Sequence, residues 1–450
     1  MTAKRIRIIG GGLAGPEAAL QAAERGCEVD LYEMRPARST EAHQTPDFAE
    51  LVCSNSLKSE SENTAPWLLK QEMRQAGSIL LREADATAVP AGHALAVDRV
   101  EFSKRVGARI AAETRITVHR EEVTRLTEND DTLTILASGP LTSPALAAEL
   151  QRLTGSDHLA FYDSISPIVD ASTIDINKVY FAARYDKGTA DYINCPFTKE
   201  EYDRFIEALT TAEAVEAKDW EKFPATGTAE KLQYFEGCLP IEETARRGCN
   251  TLRFGPMKPV GLTDPKTGKW PYAVVQLRQE NLRADSYNLV GFQNHLKYGE
   301  QNRVLKLIPG LENATFLRYG QIHRNTYIHA PSLLTATLQL KAHPNIMIAG
   351  QLSGVEGYTE SIASGMLAGI YAAAIGNGQV PTPAPRLSAN GSLTHYITHS
   401  ETKKFQPANI TFDLLPPLEE ELRKKIRDKK ERHRIQCERA LAAWTSWLNS

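Results

Sequence analysis

The chain has 450 residues, enough for two or three domains with a core each. Its 42% hydrophobic and 24% charged residues and formal charge of −3 exclude a general attraction to polyanions, so any nucleic-acid contact must use a local patch. The six cysteines form no close CxxC pair and no zinc-type His/Cys spacing, and no run of 18 apolar residues occurs. The expectations are a reduced, cytoplasmic protein with no metal site and no membrane span.

MTAKRIRIIGGG reads as a first strand over Ile6 to Ile9 rather than a leader. GGGLAG follows, with Gly10, Gly12 and Gly15 in GxGxxG spacing. PEAALQAAERG has a helical apolar period that Gly26 stops, and CEVDLYE makes a second strand ending at Glu33. This strand–turn–helix–strand order predicts a dinucleotide site. Gly10 permits the turn, Gly12 lets backbone approach a pyrophosphate, and Gly15 lets the helix pack on the strand. The helix N-terminus faces the phosphates, and Glu33 is placed to accept from a ribose 2′-OH.

Two later stretches favour FAD over NAD as the dinucleotide. DTLTILASGP, residues 131–140, predicts an alternating strand breaking at Ser138-Gly139-Pro140. NIMIAGQLSGVEGYTESIASGMLAG, residues 345–369, predicts a strand, a turn with Gly350, Gly354 and Gly357, and a helix from about Thr359 and Glu360. A cofactor met by both ends of the chain is a long one. An ordinary strand and packed helix would give the same local pattern.

Composition changes near Tyr192. Thr198 and Glu201 predict a capping box before an amphipathic helix, and TAEAVEAKDWEKFPATG continues as helix and loop. KPVGLTDPKTGKWPYAVVQLRQE predicts strand, turn, strand, and YNLVGFQNHL a further strand. The predicted fold is α/β: a Rossmann-like FAD-binding domain of the glutathione-reductase type, discontinuous over 1–196 and 331–450. A smaller α+β domain is inserted at 197–330. Residues 376–392 read as a Pro/Gly-rich connector. Residues 420–450 read as one long basic helix, which is either a solvated face or a polyanion contact.

The chain resembles the folate- and flavin-dependent tRNA (uracil-5-)-methyltransferase family over nearly its whole length. The resemblance rests on GGGLAGPEAA at 10–19, LYEMRP at 31–36 and ELVCSNSLKSE at 50–60. It continues in YFEGCLPIEETARRG at 234–248, TLRFGPMKPVGLTDPKTG at 251–268 and YGQIHRNTYIHAP at 319–331. GQLSGVEGYTES at 350–361 and FQPANITFDLLPPL at 405–418 complete it. It implies that carbon from 5,10-methylenetetrahydrofolate reaches C5 of the T-loop uridine of tRNA by way of the flavin, giving 5-methyluridine. FAD would be re-reduced by NADH or NADPH.

The chemistry requires a nucleophile at uracil C6, because C5 alone is a poor one; a thiolate suits this task. The resemblance implies Cys238 for it and Cys53 as its partner, as a base or as a guard of the nucleophile. Read locally, either cysteine serves equally as a packing residue, and Glu236 and Glu242 would raise a nearby thiol unless they point away. Tyr358 is expected at the flavin, with Gly139, Gly350 and Gly357. Lys58, Arg253, Lys258, His323, Arg324 and Asn325 are candidates for substrate or phosphate contacts. The opposing readings are a flavin oxidoreductase acting on a small substrate and a tRNA-binding scaffold that keeps FAD for stability.

Overall fold

The computed structural model describes residues 5–40, 42–126, 132–155, 159–186, 189–215, 239–401 and 405–450, with the side chains of 159–164 and 322–324 left out. Cys238 and most of TAEAVEAKDWEKFPATG lie outside the described residues.

Four N-terminal strands and one from the C-terminal part build a five-stranded parallel sheet in the order Ile346–Ile348, Leu133–Leu136, Arg5–Ile9, Glu28–Tyr32, Ile116–His119. Arg5–Ile9 is central, so its C-terminal end delivers the Gly10 turn into the crevice where such sheets bind ligands. The Leu133–Leu136 strand does not show the alternation expected of it. All four residues are buried, because a strand inside a parallel sheet is covered on both faces.

Helix Ala14–Glu24 packs lengthwise on helix Tyr358–Gly376, and small residues set their spacing. A Cβ on Gly15 would fall 1.8 Å from the Gly10 carbonyl oxygen; on Gly365 and Gly369 it would fall 2.3 and 2.6 Å from the Ala14 and Ala18 oxygens. Two helix N-termini are thereby held side by side at one end of the sheet.

A second sheet has six antiparallel strands in the order Tyr180–Ala182, Tyr192–Phe197, Ala273–Gln279, Ser286–Leu289, Ile168–Asp170, Phe316–Arg318. Its own core includes Phe197, Phe205 and Phe292. Three of these strands begin before residue 197, where the insertion was expected to start. The chain runs between the two cores along Leu159–Ser164 and Ile322–Tyr327, which pair antiparallel with each other. The Thr198 capping box is present: Glu201 N–H donates to Thr198 Oγ1 at 3.2 Å, and Thr198 N–H to Glu201 Oε2 at 2.8 Å.

Three local expectations are corrected. Lys258 to Leu262 is not a strand: Pro259 lacks a ladder donor and Gly261 sits at φ +81°, so only Ala273–Gln279 pairs. The Pro/Gly connector ends at Ser388. Helix Ala389–His399 starts there because Ser388 Oγ accepts from Gly391 N–H, and the buried Glu72 carboxylate accepts from Ala389 and Asn390 N–H at 2.7 and 2.9 Å. The C-terminal segment is two helices, Glu420–Lys425 and Lys429–Leu448. Ile426 is extended, and Asp428 restarts the helix by accepting from Lys430 N–H.

A buried polar network joins the two cores. Asn55 Nδ2 donates to the Val97 and Gln279 carbonyls at 3.0 and 2.9 Å, and its Oδ1 accepts from Arg278 Nε at 3.0 Å and Asn288 Nδ2 at 3.2 Å. Asn288 also reaches Glu280, which pairs at 2.7 Å with Arg99; Arg99 donates to the Leu51 carbonyl at 3.0 Å. Leu51 and Asn55 flank Cys53, so the segment carrying that cysteine is clamped from both sides.

Candidate active site and dinucleotide cavity

One cavity of about 370 Å³ runs along the C-terminal edge of the parallel sheet. It is lined by Gly10, Gly12, Glu33, Gly139 and Gly350, and by Cys53, Lys58, Asn325, Gly357 and Tyr358. Residues from both ends of the chain thus line one space.

The residues present fit a dinucleotide. A Cβ on Gly12 would meet nothing within 4 Å, so the backbone there opens onto free volume that a phosphate can approach. The N-termini of the two packed helices provide N–H donors and positive dipole ends. Glu33 Oε2 accepts from Gly11 N–H at 2.8 Å, and its Oε1 from Arg35 N–H and Nε at 2.9 Å each. Burial alone would raise this carboxyl. The Arg35 bonds and charge, with the Gly11 N–H, outweigh it and hold Glu33 below the usual carboxylate range. Each carboxylate oxygen keeps acceptor capacity for a ribose hydroxyl. Asn325 is buried, lines the cavity and has an Oδ1 with no donor among the described residues. A polar ligand edge would satisfy it.

Another part of the cavity wall is arranged around Tyr358. Its hydroxyl accepts from the N–H groups of Cys53 at 2.7 Å and Ser54 at 3.3 Å. Burial, reinforced by the nearby Cys53, pushes its phenol well above the usual range, so it stays protonated and keeps a proton to donate. Cys53 is half-buried here, whereas Cys27, Cys195 and Cys437 are enclosed and desolvation raises their thiols. Lys58 Nζ bonds Glu360 Oε1 at 2.7 Å and Asn409 Oδ1 at 2.6 Å, which fixes an ammonium on the cavity wall.

Other candidates stand elsewhere. Gly15 packs helix on strand instead of lining the cavity. Arg253 is committed to Tyr272, donating to its carbonyl at 2.8 Å with the guanidinium 3.6 Å over its ring. Lys258 is exposed on the second domain, and neither of these two lines the cavity. The side chains of His323 and Arg324 lie outside the described part.

Residues not singled out from the sequence complete the site. Arg35 is buried and bridges Glu33 and Glu50. Asn409 lines the cavity from the FQPANITF stretch, and Gln293 lines it from the second domain. Arg35 and Asn409 carried only the signal of membership of a recognisable motif and Gln293 carried none, since a lone Asn or Gln has no spacing rule.

Comparison with known proteins follows this geometry. The family model "Glucose inhibited division protein A" matches residues 5–379. The methylenetetrahydrofolate--tRNA-(uracil-5-)-methyltransferase TrmFO of Koribacter versatilis (strain Ellin345) is 68% identical over 99% of this chain and 98% of its own. The protein of that name from Enterococcus faecalis is 54% identical over 97% of each. Among solved structures, Aquifex aeolicus GidA in its form II crystal gives a TM-score of 0.70 at 16% identity, covering 100% of this chain and 74% of that one, a likeness of fold. The chain belongs to the methylenetetrahydrofolate--tRNA-(uracil-5-)-methyltransferase family, within the broader Glucose inhibited division protein A family.

Proposed function

We propose that this protein methylates C5 of the T-loop uridine of tRNA, taking its carbon from 5,10-methylenetetrahydrofolate. FAD, when bound, supplies the electrons that turn a methylene into a methyl, and NADH or NADPH returns it to the reduced state. The observation that carries this reading is the cavity itself: Cys53 and Tyr358 line the space that begins at the glycine turn.

Gly10, Gly12 and the two helix N-termini would hold the pyrophosphate of FAD, and Glu33 would accept from its ribose. Gly139, Gly350 and Gly357 let backbone run close beside the cofactor, and Asn325 offers an acceptor to a ring N–H or amide. Cys238 attacks uracil C6 as a thiolate, which places electron density on C5. Cys53 is its partner, held at its backbone by the Tyr358 hydroxyl. The target base turns out of the folded RNA to reach the thiol. Lys58, Arg253, Lys258, His323 and Arg324 remain proposed contacts to substrate; Lys58 has the strongest support, because it stands on the cavity wall. The work is cytoplasmic, where tRNA and folate are. Among the described residues no helix is long and apolar enough to cross a membrane.

The test is a reaction with unmodified tRNA, isotopically labelled methylenetetrahydrofolate and both nicotinamide donors, read by mass spectrometry of the digested RNA. Labelled 5-methyluridine is expected from the wild type and not from Cys238→Ser, which should still bind FAD. Unlabelled uridine with reducible bound FAD would favour an oxidoreductase acting on a small substrate.

A further inference from the structure

The C-terminal helix is divided in its chemistry. Its later half is core: Cys437, Ala440 and Trp444 are buried, and the Trp444 indole donates to the Glu72 carbonyl at 2.7 Å. Arg439 ties the same half to the Pro416 and Pro417 carbonyls. The segment leading into it is the reverse. Between residues 423 and 432 the sequence has seven cationic side chains against two anionic, in a chain of formal charge −3.

Some of those cations are spent locally. Lys424 pairs with Glu420, and Arg434 just beyond pairs with Glu431 and Glu438. Arg423, Lys425, Arg427, Lys429 and Lys430 are exposed, with no ion-pair partner among the described residues. A solvated helix face usually alternates its signs so that neighbours pair. Here like charges crowd a break between two helices, on a segment anchored at both ends.

The position matters as much as the charge. Asn409 lines the cavity, and Phe412 stacks on His433 at 3.8 Å. Three residues of chain reach at most about 10 Å. His433 lies one helical turn beyond Lys429 and Lys430, so the C-terminal end of the basic segment is the part brought toward the cavity. A base turned out of a folded RNA loop leaves the phosphates of the adjoining stem near the pocket, and their partner must be cationic and sequence-indifferent.

We infer that residues 423–430 form the docking surface for the phosphate backbone of the tRNA stem beside the target base. This rests on the function proposed above and adds its binding face.

The test uses the FAD-loaded full chain and unmodified tRNA. Lys425→Gln, Arg427→Gln, Lys429→Gln and Lys430→Gln are combined in one variant; a second variant carries Lys266→Gln and Lys269→Gln on an exposed turn of the second domain. Each duplex phosphate contact contributes about 0.9 to the slope of log affinity against log salt. The fourfold variant should lose about 2 to 4 of that slope and raise the KM for tRNA at least about tenfold, with the rate recovered at saturating tRNA and the flavin spectrum unchanged. The second-domain variant should match wild type. An unchanged slope and KM in the fourfold variant would overturn the inference. So would loss of binding to phosphatidylserine vesicles with tRNA affinity intact. If wild type made no 5-methyluridine yet the fourfold variant lost salt-dependent tRNA binding, the docking surface would stand and the proposed reaction would fall.

Discussion

Glu33 commits both carboxylate oxygens to the protein, one to the turn that receives phosphate and one to Arg35. It shapes the glycine turn through the Gly11 N–H, and in the proposed function it also accepts from a ribose hydroxyl. Glu33→Gln should therefore weaken FAD binding more than loss of one neutral hydrogen bond would. Charge-assisted bonds contribute about 1.5–3 kcal/mol, so about a 10- to 100-fold rise in the FAD dissociation constant is expected, measured by equilibrium dialysis of the flavin. Tyr358→Phe removes the hydroxyl that accepts from the Cys53 and Ser54 N–H groups. It should slow methyl transfer at least about tenfold while FAD remains bound, read in a single-turnover assay. At this scale the sequence was legible where a spacing rule exists: Gly10, Gly12 and Glu33 follow from one. Arg253 was not, because a guanidinium suited to phosphate is equally suited to an aromatic ring, and Tyr272 lies 19 residues away.

The two packed helices and the helix at Ala389 carry their own predictions. Gly369→Val would drive a branched side chain into the Ala18 backbone, where even a Cβ meets oxygen at 2.6 Å. Overpacking of this kind costs about 1–3 kcal/mol, and it should lower the flavin content of purified protein because the same contact aligns the helix N-termini. Glu72 gives a pH signature. Burial lifts its carboxyl from 4.5 to about 7, against opposing hydrogen bonds from Asn390 and Ala389. Its folded value is above its unfolded one, so its contribution to stability is fully present below about pH 4.5 and lost as pH rises through 7. Complete loss would be on the order of 3 kcal/mol. Glu72→Gln should flatten the fall in melting temperature between pH 5 and 8, followed by circular dichroism. Elements with strong local rules, such as the Thr198 box, were readable in advance. The Ala389 helix was not, because its start is stabilised by a carboxylate more than 300 residues earlier in the chain.

Across the whole molecule, the Asn55 network couples two cores that share little else in the sequence. Asn55→Ala would leave the Arg278 guanidinium buried without that acceptor and remove two bonds to main-chain carbonyls. A destabilisation of about 3 kcal/mol is expected, and calorimetry should resolve two unfolding transitions where wild type has one. The broad architecture was legible because glycine turns and apolar runs report a parallel sheet. The place where the second core begins was hidden, since Ile168–Asp170 and Tyr180–Ala182 are short strands whose partners come about 100 residues later or lie across a turn. The paired strands Leu159–Ser164 and Ile322–Tyr327 have one more consequence. Ser164 and Ile322 stand on the same rung, and Ile165 N–H donates to the Gln321 carbonyl at 2.9 Å. The chain leaves the first core and returns to it through a single doorway, this one ladder. Loops of the second core that lie away from the Asn55 network can therefore change in length while the flavin-binding body keeps its register.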